Sequence, residues 1–106
     1  MVTIQPKKKE LTLINVFAVS PENQQPLIDL LVEASQTMKQ LPGFISANLH
    51  KSHDGKYVVN YAQWRSQQDY DAMQHNPQAT PHMKAAAGLA QSYNPIFCDV
   101  TESVSA

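Results

Sequence analysis

Half of the chain's aromatic residues, Tyr57, Tyr61, Trp64 and Tyr70, fall within fourteen positions of a 106-residue sequence, and Asn60 lies among them. An extended Tyr57–Arg65 segment would place Val58, Asn60, Ala62 and Trp64 on one face and Tyr57, Val59, Tyr61 and Gln63 on the other. Asparagine is depleted in strands. A buried amide without partners costs about 1–3 kcal/mol. Asn60 therefore needs local polar partners, water or a ligand. The indole N–H of Trp64 can only donate, which suits an oxyanion. The plain alternatives are a satisfied structural asparagine and a packed core tryptophan.

Other chemistry is thinly supplied. Three glycines make no phosphate-cradling loop. The four histidines lack the short spacing of a helical metal pair. His50 and His53 are three apart, across an expected strand end and turn. Cys98 is alone, so neither an internal disulfide nor a cysteine metal cluster can form. It reads as a packed thiol beside Phe97 and Val100. No cofactor is expected. A net charge of −1 argues against a nucleic-acid partner. No apolar run reaches the roughly 18–20 residues of a membrane span. No signal-peptide h-region is read after Lys7, Lys8 and Lys9, so a signal peptide is not expected and the cytoplasm is the expected location.

The elements that must position these residues follow from the hydrophobic pattern. Residues 1–10 read as a polar arm, 11–100 as one domain, and 101–106 as a small, polar, flexible tail. Leu11–Val19 is apolar and β-branched on both faces, which predicts a strand. Ser20 and Pro21 suit a helix start. Leu27, Leu30, Leu31, Ala34, Met38 and Leu41 recur at helical spacing until Pro42-Gly43. Phe44–Lys51 and Tyr57–Arg65 read as a hairpin about His53-Asp54-Gly55. Ser66 and Asp69 form a short capping box. The helix they start is interrupted at Asn76-Pro77 and resumes near Pro81. Asn94-Pro95 is expected to break the chain again before a last strand, Ile96–Val100.

The order β-α-β-β-α-β predicts a ferredoxin-like α+β fold, a four-stranded antiparallel sheet with helices on one face. The other face would carry Ile14, Val16, Ile45, Leu49, Val59 and Tyr61. So large an apolar surface is unusual in a monomer, which predicts a homodimer packed through the sheet face.

The run PGFISANLHKSHDGKYVVNYAQWRSQQDY, Pro42 to Tyr70, resembles the signature of the antibiotic biosynthesis monooxygenase family. The resemblance extends over roughly Leu11 to Val100. The segment VVNYAQW, followed by Ser66 and Tyr70, is most similar to the small cofactor-independent, quinone-forming monooxygenases of aromatic polyketide pathways. The resemblance implies a dimeric α+β barrel with a pocket between sheet and helices. It implies a small electron-rich aromatic substrate (a phenol, hydroquinone or anthrone) and dioxygen. Asn60 and Trp64 would donate hydrogen bonds to substrate oxygens or a peroxide. Tyr70 would assist proton transfer, and His50 would be the base. Asn15, Phe17, Met73, His82, Met83 and Lys84 would contact the substrate. The family's arginine on the last helix is replaced by Pro81-His82-Met83-Lys84, where Lys84 is the nearest cation. Lysine is a point donor and arginine a planar fork, so substrate choice should differ there.

Two further readings remain open. Asn15 also resembles an asparagine of related haem-degrading oxygenases, and His82 lies close to their haem-ligand position. Met73, however, falls where those enzymes carry a tryptophan. A ligand-binding or sensing dimer without catalysis would show the same pattern.

Overall fold

The computed structural model describes residues 10–106. The expected N-terminal arm therefore lies, apart from Glu10, outside the described residues. The elements run β1 (Leu11–Ala18), α1 (Pro21–Met38), β2 (Phe44–Lys51), β3 (Tyr57–Trp64), α2 (Gln67–Gln74), α3 (Thr80–Leu89) and β4 (Ser92–Cys98). They build a ferredoxin-like fold whose second crossover carries two helices. The four strands form one antiparallel sheet in the order β2-β3-β1-β4.

The helices pack against the sheet face carrying Leu11, Leu13, Phe17, Val58, Ala62 and Trp64. Two apolar clusters form there. One joins Leu11, Leu13, Ala62 and Trp64 to Tyr70, Met73 and Ala79. The other joins Phe17, Val19 and Val58 to Leu27 and Ala86. Between them in register stands the cross-strand pair Asn15 and Asn60. A polar pair thus divides the hydrophobic layer.

Local chemistry sets the joints. At the β2–β3 turn, Asp54 Oδ1 accepts from the Ser52 hydroxyl at 2.6 Å and from Lys56 N–H at 2.9 Å. The Ser52 bond is the main reason the Asp54 carboxyl is held below its ordinary range. Gly55 supplies the positive φ of +79° that the turn requires. The Gln24 amide donates to the carbonyls of Ser52 and Tyr57, at 3.1 and 3.0 Å, which ties α1 to the mouth of the hairpin. Ser20 occupies the N-cap of α1, but its side chain makes no capping bond.

Ser66 does cap α2. Its hydroxyl accepts from Asp69 N–H at 3.1 Å and donates to Asp69 Oδ2 at 2.9 Å. Gly43, at φ +85°, lies so close to Asp69 that a Cβ there would run into the carboxylate. This close approach packs the start of β2 against the start of α2 and so sets the axis that carries Tyr70.

Two expectations need correction. Asn94-Pro95 does not break the chain; it lies inside β4, which begins at Ser92 and ends at Cys98. Proline is tolerated there because β4 is an edge strand, where one missing N–H need not interrupt a ladder. The second correction concerns β2. Phe44 pairs with Trp64, but Ser46 pairs with Gln63, leaving Ile45 as an extra residue. Beyond this bulge the facing of β2 is inverted. Leu49 therefore faces the Asn60 side instead of joining Ile14, Val16, Val59 and Tyr61 on the opposite face.

Candidate active site

A cavity of about 410 Å³ lies between the helix-facing side of the sheet and the three helices. Of the residues singled out in the sequence, Asn15, Phe17, Asn60, Trp64, Tyr70, Met73, His82 and Met83 line it. β1 and β3 supply the two asparagines as direct cross-strand neighbours. Opposed residues of an antiparallel pair have Cβ atoms about 4.5–5.5 Å apart. Both side-chain carbonyl oxygens are buried and have no hydrogen-bond partner among the described residues. The surrounding wall is mostly apolar, so these two amides offer unused hydrogen-bonding capacity in one place.

Aromatic rings line one side. Trp64 is 1% exposed and meets Phe44 and Tyr70 edge to face, with centroids 5.3 and 5.9 Å apart. Tyr70 meets Phe97 in the same manner at 5.3 Å. Such edge-to-face contacts hold the rings in defined planes. The Gln74 amide donates to the Tyr70 hydroxyl oxygen. Burial nevertheless pushes the Tyr70 phenol above its ordinary value, with the Gln74 bond opposing the rise. Tyr70 thus stays protonated at neutral pH, with its own O–H available to donate.

His82 reaches the cavity from the first turn of α3. Its Nε2 lies 3.4 Å from Thr37 Oγ1 on α1, linking the two helices. The half-exposed Tyr93 and Phe97 of β4 complete the wall, with Pro95 between them. Sequence reasoning missed this wall because it read Asn94-Pro95 as a break. The alternation of Tyr93, Pro95 and Phe97 was the available signal. It also missed Gln74, whose i,i+4 spacing from Tyr70 places the two on one helix face.

Two expected site residues are elsewhere. His50 pairs with Val59 and is exposed, on the face opposite Asn60. The Ile45 bulge is the reason, because it turns His50 outward while bringing Ala47 into the cavity wall. Lys84 is exposed and does not line the cavity. It lies two residues beyond His82 on α3, and side chains two apart on a helix do not share a face. Among the described residues, no lysine or arginine lines the cavity.

A ferredoxin-like sheet with an aromatic cavity under its helices matches a known class of oxygenase. The chain belongs to the antibiotic biosynthesis monooxygenase family, whose model matches residues 11–88. It is an enzyme of the monooxygenase class. It is 46% identical over 107 residues to the tetracenomycin-F1 monooxygenase of Streptomyces glaucescens, covering 100% of this chain and 95% of that protein. Among solved structures it is similar to the ActVA-Orf6 monooxygenase of Streptomyces coelicolor in complex with nanaomycin D. That match has 28% identity and a TM-score of 0.84, over 93% of this chain and 94% of the other. SnoaB of Streptomyces nogalater, a cofactor-independent oxygenase, shares the fold at 19% identity. Its TM-score is 0.80, with coverage of 91% and 97%. Among the described residues no helix is long and apolar enough to cross a membrane.

Proposed function

We propose that the cavity binds a small electron-rich aromatic (a phenol, hydroquinone or anthrone) and that the enzyme oxidises it to a quinone with dioxygen, using no bound cofactor. The observation that carries this reading is the unpartnered Asn15–Asn60 pair inside an aromatic-walled cavity. A planar ring can occupy the apolar volume while its oxygen substituents meet the amides.

The substrate supplies the electrons. Its deprotonated form passes one electron to dioxygen, and the substrate radical and superoxide then join through a C–O bond. For an anthrone methylene, the resulting hydroperoxide loses water as the O–O bond breaks and leaves a carbonyl. One oxygen atom ends in the quinone and the other in water. Asn15 and Asn60 accept from substrate hydroxyls through Oδ1 and donate through Nδ2 to the developing oxyanion. Trp64 and Tyr70 are the further donors. Fixed donors aimed at a developing charge lower the barrier without reorganising. Similarity to the tetracenomycin-F1 monooxygenase supports the same reading.

The homodimer is part of this proposal. The sheet face opposite the helices carries Ile14, Val16, Val59 and Tyr61, with Ile96 43% exposed. A second copy laid on that face would bury a continuous apolar surface. Oxygen uptake during turnover of hydroquinones and anthrones tests the chemistry, and sedimentation equilibrium tests the dimer. Oxygen consumption coupled to quinone formation is expected. Its absence across that substrate series would remove the reading.

A further inference from the structure

The proposed reaction begins with loss of a substrate proton, and His50 cannot take it from the far face of the sheet. We propose that His82, oriented by Thr37, is the base that accepts this proton. The inference deepens the functional reading above and rests on it.

Among the described residues, the titratable groups lining the cavity are Tyr70 and Asp71 from α2, His82 from α3, and Tyr93 from β4. From α1 the groups facing this region, Thr37 and Ser35, are neutral. Tyr70 is a poor acceptor, since burial keeps it protonated. Asp71 is exposed and its carboxylate already accepts from the Gln67 amide at 3.0 Å. Tyr93 is 55% exposed. His82 is half-buried, and among the described residues it is the one imidazole that lines the cavity. Imidazole is the side chain that best alternates between accepting and donating a proton near neutral pH.

Thr37 gives the ring an orientation. With hydrogen on Nε2, the Thr37 hydroxyl oxygen accepts it, and Nδ1 presents its lone pair. In the step assigned to His82, the substrate O–H or C–H bond breaks and its electron pair stays on the substrate. A new N–H bond forms, giving imidazolium. The imidazolium returns the proton to the peroxide formed with dioxygen, so the ring is restored each turnover. Thr37 is a positioning residue, because it acts through His82.

The test uses the full-length protein with dithranol, a dihydroxyanthrone, as the oxidisable probe. It also uses alizarin as a dye whose ionised form absorbs at longer wavelength than its neutral form. His82→Gln is expected to lower kcat at least about a hundred-fold with KM changed only a few-fold. Wild-type kcat should fall towards acid pH, as a reaction that needs a free base does. The variant should lose that acid limb, whereas Asp71→Asn should keep it. Added imidazole should restore part of the rate to His82→Ala. Thr37→Val keeps the imidazole but removes its hydrogen-bond partner and should cost a few-fold in kcat, which covers the case in which a His82 variant folds poorly.

Under anaerobic conditions alizarin should bind wild type ionised and His82→Gln neutral. An unchanged kcat with an intact acid limb in His82→Gln would overturn the inference, as would ionised dye in both proteins. Dye ionisation that depends on His82, without oxygen uptake by wild type, would keep the base and remove the quinone-forming reading.

Discussion

Asn60 and Gln63 stand three residues apart on β3, and each buries an amide oxygen that no group among the described residues bonds. Asn60 faces the helices, opposite Asn15, and borders the cavity. Gln63 faces the other way, 1% exposed, in a row with Thr12 and Ser46 that also lacks partners and does not line the cavity. The same chemical deficit therefore has two meanings. Beside a cavity, an unused amide can serve a ligand. In a closed polar row it can only weigh on stability, unless another surface supplies the missing partners.

The largest expected effect breaks the Asn60 side. Asn60→Ala should lower kcat about 10²–10³-fold, as loss of one oxyanion donor does. Its melting temperature should stay close to wild type, because the amide has no protein partner to lose. Oxygen uptake and a thermal melt together check both halves. A large drop in stability with unchanged turnover would reverse the roles given to Asn60 and Gln63.

Gln63→Leu is the mirror experiment. It removes an unpaired buried amide, so denaturant titration should show stability held or raised, by up to about 1–3 kcal/mol, with kcat unaltered. Self-association of the same variant, measured by sedimentation, should match wild type, because the Thr12–Gln63–Ser46 row is already closed within one chain.

Gly43→Ala disturbs the mounting of the cavity side alone. Positive φ and the close Asp69 carboxylate should cost about 1–3 kcal/mol. KM should rise as α2 and Tyr70 shift, which substrate titration would detect. Ser66→Ala, removing the α2 cap, should cost about 1 kcal/mol in a melt.

The smallest effect is a pH slope. Arg65, first, and then Ser66 hold the Asp69 carboxyl below its ordinary range. A depressed carboxyl stabilises the fold above its unfolded pKa, and that contribution is lost as pH falls through the lower folded value. The loss should therefore appear only below about pH 4. Asp69→Asn should flatten the acid side of a stability-against-pH curve. Exposure of Arg65 keeps the change small.

Much of the site was legible because strand alternation is local. Asn60, Ala62 and Trp64 share a face whatever the rest of the chain does. The Ser66–Asp69 capping box was equally local, and it placed Tyr70 in the second turn of α2. His50 was not legible, because one extra residue at Ile45 inverts the facing of everything after it. The bulge shows only in the pairing of β2 with β3. β4 was misread for a related reason. A proline ends a central strand but not an edge strand, and edge position belongs to the sheet.

By itself, then, the sequence determined which residues could do chemistry and the elements that carry them, since propensity, capping and period act over a few neighbours. It pointed to an Asn, a Trp and a Tyr as the likeness to aromatic oxygenases implied. Tertiary structure decided which histidine meets the cavity. It set Asn15 against Asn60, brought Tyr93 and Phe97 to the rim and left Lys84 outside. Those outcomes depend on register, on a bulge and on the crossing of helices far apart in the chain, where one residue of slip exchanges inside for outside.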